Sequence, residues 1–313
     1  MTARAVIIDC DPGQDDAVAL LLALASPDEL DLLGVTCVAG NVPLALTQRN
    51  ARIIVELSGR TDVPVHAGCD RPLIRRLTTG ETAHGATGLD GYDWRAPRLP
   101  LADGHAVDFI VDRCLAAEDA SVTLCPIGPM TNIALALVKD SRIVPKIREI
   151  AFMGGAALVP GNRTPMAETN VYNDPHAAQI VLQSGAPCVM FGLDVTLQAI
   201  TTPARLERIR ALASPVSDAV VGMLSFYAER NTARYGGPAG PLHDPCVVAY
   251  LLQPSLFDGR DCHVAVETAS ELTLGRTVAD WNGVTGAAPN CRVMNRIDAD
   301  GHYDLIVERL GRY

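Results

Sequence analysis

Residues 6–25 read VIIDCDPGQDDAVALLLALA, and Asp9, Asp11, Asp15 and Asp16 fall within eight positions between two apolar stretches. Like charges that close repel one another, and burial adds to the cost. AVIID has the composition of a buried strand, CDPG that of a turn, and Gln14 opens a helical run. Pro12 fixes φ and Gly13 permits a sharp bend. Asp11 is thereby set at the strand's end, with Asp15 and Asp16 in the helix's first turn. A lone acidic residue there would cap the helix or complement its dipole. Four at one buried corner point instead to a hard divalent cation, calcium or magnesium, which collects carboxylate and carbonyl oxygens.

Other strand–loop junctions offer further donors. GPLHDPCVVAYLL puts His243 and Asp244 just before Pro245 and an apolar helix, so Asp244 is either a helix cap or a ligand from another side. LCPIGPMTNIALAL leaves the Ile127 carbonyl at a strand terminus without an assured partner. Thr131 and Asn132 are expected to cap the helix that follows. Behind Met153, the loop MGGAALVPGNRTPMAETNVYNDPHAA concentrates Asn162, Glu168, Asn170 and Asn173. Amides and a carboxylate suit a polyhydroxylated ligand, each hydroxyl of which both donates and accepts. Asn173 is expected to be solvated and Asp174 to cap the next helix. CVAGN delivers Asn41, and the glycine-bearing ETAHGATGLDG places His84 on the surface or on a lid.

The elements that must position these residues alternate. RAVIID, LDLLGVTCVAG, SVTLCPIG, IREIAFMGG and PCVMFGLD read as buried strands, separated by helical runs near 15–25, 43–58, 106–118, 131–139 and 175–184. Such alternation predicts an α/β fold, a mostly parallel, Rossmann-like central sheet covered by helices. Helices are expected at 203–212, 215–230 and 245–252, and CHVAVET, ELTLGRTV and CRVMNRI read as a possible antiparallel addition. No linker or repeat interrupts the pattern, so one domain is expected over 1–313. The long loops near 68–104 and 154–173 are of a length usually reserved for function. In open α/β sheets ligands sit at the carboxyl ends of the strands, which is where these residues fall.

Composition narrows the class. The 313 residues are 48% hydrophobic with a net charge of −10, and the pI is about 5.1. The basic pairs are short, such as Arg75-Arg76, which argues against nucleic acid as a partner. Nine cysteines without C-x-x-C spacing read as reduced, buried thiols. The longest apolar run is too short to span a bilayer, and MTARA leads straight into a strand. A cytoplasmic protein acting on a small molecule is expected.

With these residues in view, the chain resembles the nucleoside hydrolases, the inosine–uridine-preferring N-ribohydrolase family. DCDPGQDDA, VAGN, HGATGLDG, GPMTNIA, MGGA, GNRTPMAETNVYNDPHAA and PLHDP occur in the family's order over nearly the whole chain. The resemblance implies calcium-dependent hydrolysis of ribonucleosides to ribose and free base. It implies that Asp11, Asp16, Asp244 and the Ile127 carbonyl hold Ca2+, with Asp11 also the general base. Asp15, Asn41, Met153, Asn162, Glu168 and Asn170 would line the ribose pocket. His243 would face the base and protonate it as it leaves, and His84 would close over it. SFYAERNTARYGG corresponds to a base-contacting region, which makes Tyr227, Asn231 and Tyr235 candidates. Cys10 is like the pyrimidine-preferring branch, whereas Gln14 departs from the histidine or aliphatic residue of many relatives. The resemblance also implies a homodimer or homotetramer.

This chemistry needs such residues. Cleaving an N-ribosidic bond with water passes through an oxocarbenium-like state, so anionic side chains around the sugar stabilise the developing cation. Two alternatives carry different chemistry. Asp9-Cys10-Asp11 superficially matches the D-x-D of haloacid-dehalogenase-like phosphatases, although Gly13 departs from that motif. A calcium-dependent nucleoside- or ribose-binding protein without turnover would keep the same site.

Overall fold

The computed structural model describes residues 3–235 and 240–313, with the side chains of 233–235 outside the described set. Six strands come first: β1 (Arg4–Cys10), β2 (Leu30–Cys37), β3 (Val65–Ala67), β4 (Val122–Pro126), β5 (Ile147–Met153) and β6 (Cys188–Phe191). β7 (Ile200–Thr201) and β8 (Gly240–Pro241) form a short antiparallel pair, as do β10 (Val264–Val266) and β11 (Thr277–Ala279). β9 (Phe257–Cys262) and β12 (Cys291–Ile297) complete an eight-stranded sheet in the order β3-β2-β1-β4-β5-β6-β12-β9. Pairing is parallel throughout except between β12 and β9. The result is one α/β domain, with apolar clusters filling both faces of the sheet.

The helix Gln14–Leu24 is buried at every position. A helix buried all round cannot show a polar face. It lies against the sheet on one side and against the helices Pro245–Leu252 and Pro215–Tyr235 on the other. Its first turn therefore keeps Asp15 and Asp16 almost wholly out of bulk solvent. All nine cysteines are buried and free, and no described helix is long and apolar enough to cross a membrane.

The structure amends three expectations at the carboxyl-terminal end. The antiparallel edge is FDGRDC in β9, whose alternation is broken by charge. CHVAVET and ELTLGRTV pair with each other, through β10 and β11, off the main sheet. A helix at Ala299–Leu310, capped by Asp298, closes the chain; its apolar residues are spaced among charges and read weakly. Within it His302 is fully buried, and neither ring nitrogen has a hydrogen-bond partner among the described residues. The rings of Phe257 and Tyr303 meet it edge-on. Burial, helped by the Arg205 charge, pushes its pKa down from 6.5 to about 3. A depressed folded pKa contributes stability above the unfolded value that is lost as pH falls through the folded one. The protein should therefore lose on the order of 4 kcal/mol from this group between pH 6.5 and 3. Denaturant titrations of wild type and His302→Leu across that range should differ by a slope of this sign.

Candidate active site

In the sheet order β3-β2-β1-β4-β5-β6, the chain winds one way from β1 and the other way from β4. The crevice between these strands is a topological switch point, where open α/β sheets bind ligands. Asp11 follows β1 directly, and Ile127 follows β4 with its amide donating to the Asp9 carbonyl at 2.8 Å. The turn after β1 leaves Asp16 free to reach back. Its carboxylate accepts from the Gly13 amide at 2.9 Å and the Asp11 amide at 3.1 Å.

Asp9, Asp11, Asp16 and Asp244 are all at most 3% exposed. Carboxylate oxygens of Asp15, Asp16 and Asp244 lie within 4.8 Å of one another. Asp11 accepts from the Asn41 amide at 2.6 Å through Oδ2, while its buried Oδ1 has no partner among the described residues. A Cβ at Gly40 or Gly128 would sit 2.0 or 2.4 Å from an Asp11 oxygen, so only glycine admits this carboxylate. Burial first, then the neighbouring carboxylates, pushes Asp11 and Asp244 well above the ordinary range. Asp16 rises to about 7, chiefly by burial and then the Asp15 charge. Burial likewise raises Asp9 to about 7, although Asn132 and Thr36 hydrogen-bond to it.

Above this corner is a cavity of about 490 Å³, open mouth included, a size that suits a small ligand. Its floor and one wall carry Asp15, Asn41, Ile127, Met153 and Asp244. Asn162, Glu168, Thr169 and Asn170 form a second wall, and His84, Tyr227, Asn231 and His243 complete the lining. Glu168 caps the helix Thr169–Asn173 and accepts from the amides of Gly155, Asn170 and Val171. Burial nevertheless raises its pKa against those hydrogen bonds. Asn170 Nδ2 donates to the Ile127 carbonyl at 2.9 Å and the Met153 carbonyl at 3.2 Å, stapling the second wall to the ends of β4 and β5. His243 Nδ1 lies 2.8 Å from Thr196 Oγ1. The His84 ring is tilted against Tyr227 at 5.5 Å, and burial lowers its pKa.

Comparison with known proteins decides the family. The family model for inosine-uridine preferring nucleoside hydrolases matches residues 6–304. The chain belongs to the nucleoside hydrolase family. The pyrimidine-specific ribonucleoside hydrolase RihA of Shewanella sp. (strain MR-7) is 47% identical over 312 residues, covering 99% of this chain and 97% of its own. An uncharacterized protein of Schizosaccharomyces pombe is also 47% identical, over 98% of this chain and 99% of its own. Among solved structures, a purine-preferring ribonucleoside hydrolase from Gardnerella vaginalis is 32% identical with a TM-score of 0.91 and covers 98% of each chain. A plant nucleoside hydrolase matches equally well, at 32% identity and a TM-score of 0.90. This nucleoside hydrolase is thus an enzyme of ribonucleoside N-glycosidic bond hydrolysis. The phosphatase and non-catalytic alternatives give way to it.

In this nucleoside hydrolase the cavity gathers residues from eight separate stretches of the chain. Of the residues picked out in the sequence, Asp15, Asn41, His84, Ile127, Met153, Asn162, Glu168 and Asn170 line it. So do Tyr227, Asn231, His243 and Asp244. Asp16, a member of the acidic trio, and Asp11 lie buried beneath the lining rather than in it. The Tyr235 side chain falls outside the described residues. Asp174 caps the helix Pro175–Gln183 as expected, but Asn173, expected to be solvated, is buried outside the cavity because it ends the helix Thr169–Asn173, which packs inward.

Two capping expectations fail. Met130 is the N-cap of the helix Thr131–Lys139, without a side-chain hydrogen bond. Thr131 instead donates to Asp174 at 2.7 Å, and Asn132 donates to Asp9 at 2.7 Å and the Cys37 carbonyl at 3.0 Å. The Asn132 oxygen that would serve as a cap instead accepts from the Cys69 amide at 2.8 Å, so both ends of its amide are engaged across the sheet. Asp244 precedes the helix Pro245–Leu252 without capping it, which leaves its carboxylate for the acidic trio. Thr169 and Ala83 were not singled out, and their only signal is adjacency to Glu168, Asn170 and His84.

The nucleoside hydrolase family is metal-dependent, and the donor set fits a hard cation. The converging groups are carboxylates, two carboxylate oxygens, Asp9 Oδ2 and Asp11 Oδ1, are buried without a partner among the described residues, and Ile127 lines the same cavity. Oxygen donors alone, without cysteine or histidine, select calcium- or magnesium-like ions.

Proposed function

We propose that this enzyme hydrolyses ribonucleosides to ribose and free base with calcium as its metal, pyrimidine nucleosides being favoured slightly over purine. The observation that carries this reading is the buried acidic corner opening into a cavity walled by paired hydroxyl-binding groups. Asp11, Asp16, Asp244 and the Ile127 carbonyl are assigned to the ion, and Asp11 also to the general base. Bound there, the ion supplies positive charge that orients the sugar diol and acidifies water. Asp11 takes the water's proton on its unpartnered oxygen. Asp15, Asn41, Met153, Asn162, Glu168 and Asn170 hold the ribose, with Glu168 and Asp15 favouring the positive charge that develops on it. His243, its ring set by Thr196, gives a proton to the departing base. His84, Tyr227, Asn231 and Tyr235 are assigned to the base end. The name of the 47%-identical relative supports the pyrimidine preference. The less similar purine-preferring structure makes it a matter to be measured.

The test is ribose release from uridine, cytidine, inosine and adenosine, with calcium and after chelation. Calcium-dependent release ranked uridine or cytidine first is expected. Release that survives complete metal removal overturns the calcium assignment, and a purine ranked first overturns the preference. His243→Ala should slow uridine by about 10²-fold, within the usual range for general acid catalysis. A substrate with an activated leaving group should be slowed much less, and equal losses on both remove the acid role from His243. As a soluble catalyst of small-molecule chemistry, the protein is proposed to act in the cytoplasm as a homodimer or homotetramer.

A further inference from the structure

We propose that Gln14 is a positioning residue that holds the 80–91 segment across the cavity and locks His84 in the tautomer with its proton on Nδ1, so that Nε2 meets the ligand only as an acceptor. The nature of the ligand rests on the nucleoside hydrolase reading above; the clamp does not. Gln14 is fully buried at the first position of the helix Gln14–Leu24. Its Nε2 lies 3.0 Å from the His84 carbonyl and 3.1 Å from the Asp90 carbonyl. Main-chain carbonyls only accept, so that end of the amide must be nitrogen, and the other end must be oxygen. The oxygen lies 2.8 Å from His84 Nδ1. An amide oxygen only accepts, so Nδ1 carries the hydrogen, and in a neutral ring Nε2 is left with its lone pair.

The ring lies directly on the turn that makes the acidic corner. A Cβ on Gly13 would stand 2.4 Å from His84 Nδ1 and 2.8 Å from its Cε1, so the turn's glycine also makes room for the histidine. With Nδ1 occupied by Gln14, Nε2 is the ring nitrogen left for a ligand in the cavity that His84 lines. Asn50 repeats the device on the same segment, its Nδ2 donating to the Thr87 carbonyl at 2.8 Å and the Pro12 carbonyl at 3.1 Å. From the other side, Arg230 donates to the Thr82 carbonyl at 2.9 Å. The segment is thus tied at both its short helix and its following turn to the D-P-G-Q loop that presents Asp11. A ligand group opposite His84 must bring a hydrogen: a ring N–H or an exocyclic amine of the base is accepted, and a bare ring nitrogen or carbonyl is not.

The experiment uses the free, full-length protein. Two-bond ¹H–¹⁵N correlation of the histidine rings should report His84 as the Nδ1–H tautomer in wild type. In Gln14→Met, close in size but without polar atoms, that tautomer should be lost. Amide hydrogen exchange across 81–91 should rise about 10- to 1000-fold, the range expected from removing three hydrogen bonds. An Nε2–H tautomer in wild type overturns the proposal, as does unchanged exchange in a folded Gln14→Met. If Gln14→Met fails to fold, the wild-type tautomer alone decides. Neither readout depends on turnover, so absence of ribose release from any nucleoside would overturn the function and leave the clamp standing.

Discussion

Asp11→Asn should lower kcat for ribose release by about 10²- to 10⁴-fold, the usual range for losing a general base, while the fold persists. The asparagine is isosteric. Its carbonyl can keep the bond from the Asn41 amide, and its NH₂ then occupies the position of the oxygen that has no partner. What disappears is the proton acceptor and one negative charge. Because burial and the Asp16 charge oppose ionisation of Asp11, removing that charge should leave the thermal midpoint of the metal-free protein equal or higher. Asp11→Ala should lose as much activity, with a small additional cost from the freed Asn41 amide. Near-normal activity in a folded Asp11→Asn protein would end the base assignment. A loss of activity accompanied by a lower midpoint would instead make Asp11 a structural residue.

Complete removal of calcium should reduce turnover by at least about 10²-fold, since a bound cation is worth several kcal/mol of charge stabilisation. The same treatment should expose the cost of the acidic corner. Asp9 and Asp16 rise from 3.8 to about 7 without a cation. For a raised folded pKa the stability contribution is present below the unfolded value and lost as pH rises through the folded one. Metal-free protein should therefore lose stability from about pH 4 to pH 7, and calcium should restore most of it. At a free concentration of 100 times Kd the ion should add about 2.7 kcal/mol. Thermal midpoints measured across that range, chelated and calcium-loaded, check both statements. Parallel curves would mean that the carboxylates hold no ion. Magnesium restoring turnover as well as calcium does would overturn the choice of metal.

The aspartate corner was legible because it is local. Strand, Pro12-Gly13 turn and helix follow each other within a dozen residues, and backbone sterics alone bring Asp11 and Asp16 together. Parallel β-α alternation was legible for the same reason, since each strand and helix declares itself by its own periodicity. The resemblance of seven short motifs in order named the reaction class. It also picked out twelve residues that the fold gathers around one cavity.

Tertiary structure decided what depends on partners far along the chain. Asn132 read as a cap by local rules, but folding brings its NH₂ against Asp9, 123 residues away, and its oxygen against the Cys69 amide, which leaves neither end for the helix terminus. Asp15, rather than Asp11, makes the tight trio with Asp16 and Asp244, which requires the helix Pro245–Leu252 to pack beside the helix Gln14–Leu24 and bring Asp244 to its first turn. Gln14 looked like a mere departure from its relatives. Only with residues 84 and 90 folded over it do its two amide ends find opposite partners, and their chemistry then dictates which nitrogen of His84 carries the proton. Sequence spacing determines which groups a turn or helix brings together. Long-range packing determines which of their atoms remain for a ligand.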